Sequence, residues 1–339
     1  MNRARLITAA AITVILLGGA ITYAAVALTS YERRQSTPAA HQAEARSNMV
    51  FNGSPRIVFR NTAPDSGYGL VASVPLSAPS GARSVTTVPC DRVYATIRYS
   101  MCLRIDRGVV TTFSANLLDA TGRKVHSWPL PGIPSRTRIS ADSKLVGYTA
   151  FVTGAAYGAV GFSTETEISS TAGHDFGNLE DFALIVGGTR NSAMDRNFWG
   201  VTFTSDDNVF YATAAAGGQT WLVRGDLAAR TLTAIREAAE CPSASPDGRR
   251  VAYKKNISTT TSAYWSIAVL DLATGKETVL PEKQNVDDQV EWLDESTILY
   301  GLARPNAEGD SDVWSIHAEG ASAPKRIIQH AWSPSVVRP

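Results

Sequence analysis

From residue 54 onward, short apolar, β-prone runs alternate with small polar turns, and the alternation recurs in a fixed form. Residues 241–255 read CPSASPDGRRVAYKK. Asp247-Gly248 is a hairpin signal, because a two-residue type I′ turn needs positive φ and Gly adopts it without steric cost. Val251, Ala252 and Tyr253 then read as a strand with one side in a core. A lone hairpin is marginal in water, so it must join a larger sheet. Related text stands at 140–148 (SADSKLVGY), 203–211 (FTSDDNVFY) and 292–300 (WLDESTILY). Each has an acidic turn residue (Asp142; Asp206 or Asp207; Asp294), then an apolar run ending in Tyr148, Tyr211 or Tyr300. A second motif follows the first: VLDLATGKETV at 269–279 and LLDATGRKV at 117–125, both strand, Asp-led turn, strand.

The turn aspartates stand roughly 40 to 65 residues apart, near the about 40 to 50 of a propeller blade. Two motifs in a fixed order divide the chain into six units: 54–87, 88–132, 133–189, 190–236, 237–284 and 285–330. That number lies within the range propellers use. An ordinary β-sandwich of similar hairpins is the alternative, and the fixed order of the two motifs argues against it. The widest gap, between Asp142 and Asp206, is expected to hold an insertion near 171–178. The first unit lacks a strand ahead of RIVFRN (56–61), while Trp332-Ser333-Pro334 resembles the piece before the turn of unit five. The C-terminus is therefore expected to complete the first blade, which removes the two edges of an open ring.

The SPDGRRVAY and VLDLATGKETV pair resembles the repeat of TolB-like β-propellers, the PD40 or WD40-like group. Unit five is the nearest match, and the resemblance covers most of the chain after residue 53. It implies an all-β, six-bladed TolB-like propeller over 53–339. It also implies an extracytoplasmic address and work through envelope protein partners. The chain departs from TolB in two ways: no separate N-terminal α/β domain is legible, and a membrane segment stands in its place.

Residues 6–28, LITAAAITVILLGGAITYAAVAL, carry no charge. The run exceeds the ~18 apolar residues that mark a transmembrane candidate. Arg3 and Arg5 precede it within the short stretch 1–5; Glu32, Arg33 and Arg34 follow. The expectation is an N-terminal transmembrane helix acting as a single-pass signal anchor, with the propeller outside the cytoplasmic membrane. Cleavage of a signal peptide near Ala27, at Ala25-Val26-Ala27, is the alternative; its apolar region is usually shorter, about 7 to 15 residues. Residues 29–52, mixed and aperiodic, read as a flexible tether. Thirty-two Lys and Arg oppose 31 Asp and Glu, and a net charge of +1 makes no general case for nucleic acid. Cys90 and Cys102 flank the first strand of unit two, and outside the cytoplasm a disulfide there closes a short loop. The hairpin register does not set them directly opposite, so two buried thiols remain the alternative. Cys241 is left over, either buried or the true partner of one of the others.

The usual catalytic signatures are missing: no Gly-x-Ser-x-Gly, no His-Glu-x-x-His, no phosphate loop and no Cys-x-x-Cys. His41, His126, His174, His317 and His330 are scattered. His174 beside Asp175 could form a base–carboxylate pair, but a Gly-rich turn accounts for both. The turn aspartates answer to turn chemistry, and no calcium-loop spacing joins them. No catalytic residue, metal or cofactor is expected. Topology offers a better surface. Each connection from an outer strand to the next inner strand arrives at one face beside the channel. Asp195, Arg196, Asn197, Glu240, Asp288, Gln289 and His330, from different units, converge there, with Arg92, Arg136, Arg138, Asp287 and Glu291 nearby. They form a candidate binding mouth for a protein partner or polar ligand. Mutual ion pairs that lock adjacent blades are the competing account, and a propeller hydrolase or lactonase working at the funnel is the alternative from another class.

Overall fold

The computed structural model describes residues 54–152, 163–259 and 263–338, together with Thr13 and the strand Glu44–Ser47. Six antiparallel blades close into a ring. From inner to outer strand, blade 1 is Ala331–Val337, Arg56–Asn61, Leu70–Pro75 and Ser84–Pro89. Blade 2 is Arg92–Ala95, Tyr99–Asp106, Thr112–Asp119 and Lys124–Leu130; blade 3 is Ile133–Ile139, Leu145–Val152, Ser163–Ser170 and Asp175–Asn178. Blade 4 is Asn197–Phe203, Val209–Ala216, Gln219–Asp226 and Thr231–Glu237. Blade 5 is Glu240–Ala244, Arg250–Asn256, Trp265–Asp271 and Glu277–Val279; blade 6 is Glu291–Trp292, Thr297–Ala303, Ser311–His317 and Lys325–Ile328. Each inner strand touches the next around the circle.

The C-terminal strand closes the ring. Ala331–Val337 runs antiparallel to Arg56–Asn61, pairing Val337 with Arg56 and Ala331 with Asn61. Ser335, wholly buried, accepts the Ala95 N–H at 3.0 Å, and Ser333 Oγ donates to Val93 O at 3.0 Å, so the strand is stitched to blade 2 as well. On the blade 6 side, Thr62 N–H donates to His330 O at 3.0 Å, and Arg83 donates to His330 O at 3.0 Å and to Gln329 O at 2.5 Å.

The repeat text has a physical basis in the turn and in the tyrosine. In blade 5 the Gly248 N–H donates to Ser245 O at 2.8 Å and the Ser245 N–H to Arg250 O at 2.9 Å. Only Gly248 has positive φ, at +68°, so this is a longer turn ending in a left-handed glycine, not the expected two-residue turn. Blade 3 repeats it with Ser143 (φ +65°) in the glycine's place. The aspartates serve the turns: Asp142, Asp206, Asp247 and Asp294 accept backbone N–H groups two residues on, at 3.1, 2.9, 3.0 and 2.8 Å. The tyrosines are inter-blade core. Tyr253 and Tyr300 are fully buried, with hydroxyls donating to Glu277 and Glu282, and Tyr148 OH donates to Glu167 at 2.7 Å.

Three expectations are corrected. The stretch near 171–178 is no insertion; it is the turn and outer strand of blade 3. The inserted piece is the hairpin Ala183–Val186 and Thr189–Asn191, and it belongs to blade 4, not to unit 133–189. It lies outside Thr231–Glu237, paired parallel with Leu184 opposite Leu232. Leu179, Phe182 and Leu184 draw it there by packing with Phe210 and Leu232. Within the expected tether, Glu44–Ser47 pairs parallel with Ser84–Pro89 as a fifth strand of blade 1. The remainder of 29–52 and, Thr13 apart, the span 6–28 lie outside the described residues. No helix among the described residues is long and apolar enough to cross a membrane.

Cys90 and Cys102 are joined, with Cα atoms 5.3 Å apart. Cys102 pairs in register with Val93, so Cys90 reaches it from just ahead of the ladder. Cys241 is free and buried. Removing residues 331–339 should strip blade 1 of its inner strand and lower stability by at least about 3 kcal/mol, since several buried backbone hydrogen bonds go unmade. Urea unfolding of the truncated and full chains measures this, and equal stabilities would refute the closure.

Candidate functional site

The channel has two unlike ends. At the arrival face, where inner strands begin, charged side chains from blades 2, 3, 5 and 6 pack into the throat. Arg92 Nη1 lies 3.0 Å from Asp288 Oδ1, and the Arg92 guanidinium sits 5.2 Å over the Trp332 ring. Asp288 is 1% exposed. Arg138 pairs with Glu291 and donates to Ser243 Oγ at 3.0 Å and Val290 O at 2.5 Å. Tyr94 lies under that guanidinium at 4.8 Å and donates its hydroxyl to Glu291 Oε1 at 3.2 Å. Lys254 Nζ is 2.5 Å from Asp287 Oδ1, 3.9 Å from Glu240 Oε2 and 4.5 Å over the Trp265 ring. The void left among Arg92, Arg136, Arg138 and Asp288 is only about 20 Å³, room for about one water.

Close backbone approach makes this density possible. A Cβ on Gly301 would stand 2.6 Å from the Trp332 ring and 2.9 Å from Asp288 Oδ2. Gly200, with φ +69°, brings blade 4 against blade 5: a Cβ there would lie 2.8 Å from Cys241 Cα. Neither glycine stood out in the sequence, nor did Lys254 or Tyr94, because each acts through a contact distant along the chain.

Burial tunes the throat. The Arg92 guanidinium is pushed down to about 10 by burial and by the nearby Arg136 charge, against the pull of Asp288. Burial pushes the Glu240 carboxyl up to about 7, with Asp287 adding to the rise and Lys254 and Arg136 opposing it. A carboxyl so perturbed is a mark of enzyme sites. Here it faces the Lys254 ammonium, 3.9 Å away.

The predicted mouth is therefore divided. Glu240, Asp288 and Gln289 meet in the throat, where Gln289 Nε2 donates to Val201 O at 3.4 Å. Asp195 caps the hairpin of blade 4, accepting Gly217 N–H at 2.7 Å. Asn197 Oδ1 accepts Thr164 N–H at 2.9 Å, and Arg196 donates to Asn191 O at 3.2 Å. His330 belongs to the blade 6–blade 1 seam, donating Nδ1–H to Asp310 Oδ2 at 2.8 Å. The His174 ring stands edge-on to Phe176 at 4.7 Å, and Asp175 accepts Gly177 N–H at 2.8 Å, in a turn away from the channel.

At the opposite, turn face the channel opens into a bowl of about 340 Å³. All six blades line it with the far ends of their inner strands, through Thr96, Ala141, Thr204, Pro246, Trp292 and Arg338 among others. Its floor is the Arg138–Glu291 pair. Among the described residues no group of three or more His, Cys, Asp or Glu side chains could hold a metal.

The chain is thus a six-bladed β-propeller of TolB-like fold. No family model matches it, and no curated protein does. Among solved structures it is similar to TolB from Acinetobacter baumannii, 16% identical with TM-score 0.55, over 85% of this chain and 67% of that one. It is also similar to a chain of a nidogen/laminin complex, 9% identical with TM-score 0.55, over 84% of this chain and 98% of that one. At such identities the likeness is one of fold.

Two outcomes follow. Asp288→Ala leaves buried Arg92 unpaired and should cost about 3–5 kcal/mol, whereas Asp195→Ala on the exposed rim should cost about 1 kcal/mol or less. Chemical denaturation of both variants compares them, and equal losses would refute the lock. The folded chain also holds the Glu240 proton more tightly than an ordinary carboxyl, at about 7 against 4.5. That contribution is fully present below the ordinary value and lost as pH rises to 7, by about 3 kcal/mol. Unfolding titrations at pH 5 and 7.5 should show the slope in the native chain and a flatter one in Glu240→Gln; identical slopes would exclude Glu240 as its source.

Proposed function

We propose that this chain is a non-enzymatic binding propeller, held outside the cytoplasmic membrane by residues 6–28, whose bowl receives a loop of an envelope protein or a polar ligand. The observation that carries this reading is the asymmetry of the channel: six inner strands converge on an open bowl, while the other end is filled by its own ion pairs. A bowl of about 340 Å³ suits one or a few side chains. Its hydroxyls and exposed strand ends offer polar contacts, and Phe203, Ile97 and Trp292 offer apolar ones. Among the described residues its one lining carboxylate, Glu291, is neutralised by Arg138, which leaves it poorly placed for acid–base work. The Cys90–Cys102 disulfide supports an oxidising address. The likeness to a chain from a nidogen/laminin complex accords with a propeller that works in a protein assembly.

A photo-crosslinking residue placed at Ser205 or Pro246, on the bowl rim, should capture the same protein in intact cells. One placed at Lys276, in the outer turn of blade 5, should not. Capture from Lys276 alone, or the same products from all three positions, would overturn the bowl as the binding surface.

A further inference from the structure

A second large groove lies outside the channel. It lies on the arrival face between blades 1 and 2 and measures about 770 Å³. Its walls are the turn of blade 1 with Tyr68, the connection through Cys90 and Asp91, and the loop of blade 2 from Arg104 to Thr112. Three arginines line it, Arg60, Arg104 and Arg107, against two aspartates, Asp91 and Asp106.

The two acids offset two of the three cations, so the lining keeps one excess positive charge. Asp91 Oδ2 accepts the Ile105 N–H at 2.7 Å, and Asp106 pairs with Arg104 at 2.5 Å. The other two arginines have no carboxylate partner among the described residues. Arg60 is held in place by other means: its guanidinium lies 4.8 Å over the Tyr68 ring, and its Nε donates to Cys90 O at 3.1 Å. The Cys90–Cys102 disulfide fixes that acceptor, so Arg60, which lines the groove, sits on a rigid mount. Beside them, Val109 is fully exposed and Val110 is 75% exposed. Two adjacent β-branched apolar residues at a projecting tip leave apolar area that contact with a partner would remove from water.

We infer that this groove docks an extended acidic peptide segment of a partner protein, with carboxylates on Arg60 and Arg107 and an aliphatic side chain against Val109 and Val110. Uncommitted cations set beside an apolar tip match a chain that alternates acidic and aliphatic residues. The bowl and this groove open on opposite faces, so the two surfaces can be occupied independently.

The test uses the full chain and a fluorescent octapeptide of alternating Glu and Leu, with its Lys–Leu counterpart as control, followed by anisotropy. The Glu–Leu peptide should bind and the Lys–Leu peptide should not, and added salt should weaken binding. Arg107→Glu, at an exposed residue with no ion-pair partner among the described residues, should weaken binding about tenfold while leaving the melting temperature unchanged. Val109→Ser with Val110→Ser should weaken it by a similar factor at all salt concentrations. Equal binding of both peptides, no binding at millimolar peptide, or variants that bind like the native chain would overturn the inference. So would binding to phosphatidylglycerol vesicles without binding to the peptide, which would assign the groove to a lipid surface.

Discussion

The ring depends on one strand pairing. Arg56–Asn61 is the first blade strand among residues 54 onward, and its partner is Ala331–Val337, some 275 positions later in sequence, as the register of Arg56 with Val337 shows. No other strand pairing among the described residues joins positions so far apart. Loop-closure entropy grows only logarithmically with separation, so the pairing is affordable once the intervening blades exist. Until then it has nothing to rest on. Ser335 shows why: it is buried between Val58 of its own blade and Ala95 of the next. The closing strand completes a sheet and an inter-blade seam together, which makes the ring cooperative.

The seams are polar where they approach the axis and apolar farther out. Burying ions is costly, and pairing repays that cost only where geometry and extra hydrogen bonds are good. The throat has both: Glu291 receives Arg138, Tyr94 and the Val336 N–H, from three different blades. Tyr94 pays a visible tribute to the arrangement, its hydroxyl held well above the ordinary tyrosine range by burial and by the Glu291 charge. The His330 seam works in the same way. Burial raises the Asp310 carboxyl, but hydrogen bonds from His330 and Thr62 outweigh it and hold the group below the ordinary range. The throat pairs tie blades across the channel, blade 2 to the connection before blade 6 and blade 3 to blade 6, whereas the His330–Asp310 contact closes one seam between neighbours.

The sequence made the blades legible because their turns are local. Asp247, Gly248 and the following strand lie within one hairpin, and so their chemistry is written in adjacent letters. The closing strand was legible for a subtler reason: Trp332-Ser333-Pro334 repeats the text of other inner strands. The extra hairpin of blade 4 was not, because its parallel pairing with Thr231–Glu237 depends on a packing partner about 50 residues away, a separation with no repeat to betray it. The throat was half legible. Topology placed Glu240, Asp288 and Gln289 together, but charge alone does not tell a solvated loop from a buried lock. That difference rests on Gly301 and Gly200, whose missing side chains let the blades close. Asp195, Asn197 and His330 all stand at the start of an inner strand, and yet the first caps a hairpin of blade 4, the second braces blade 3 and the third closes the blade 6–blade 1 seam, differences set by partners distant in sequence.

A propeller with one blocked and one open end has a direction. A through-channel would let the same ligand approach from either side and would spend no ions on its interior. Here the arrival end holds Arg92, Asp288 and Arg138 at fixed distances, so the bowl at the other end has a rigid, neutral floor. Rigidity at the floor lowers the ordering cost of whatever enters, since strand ends anchored in six sheets have little freedom left to lose. In the proposed binding reading, neutrality leaves selectivity to the rim, where Arg338 and the turn aspartates stand in water and their charges are screened. The groove between blades 1 and 2 has the reverse character: its lining carries one excess positive charge, and the disulfide braces the contact that holds Arg60. In the binding reading proposed above, shape selects at the bowl and charge at the groove, because the throat pairs its ions with one another while Arg60 and Arg107 of the groove have no carboxylate partner among the described residues.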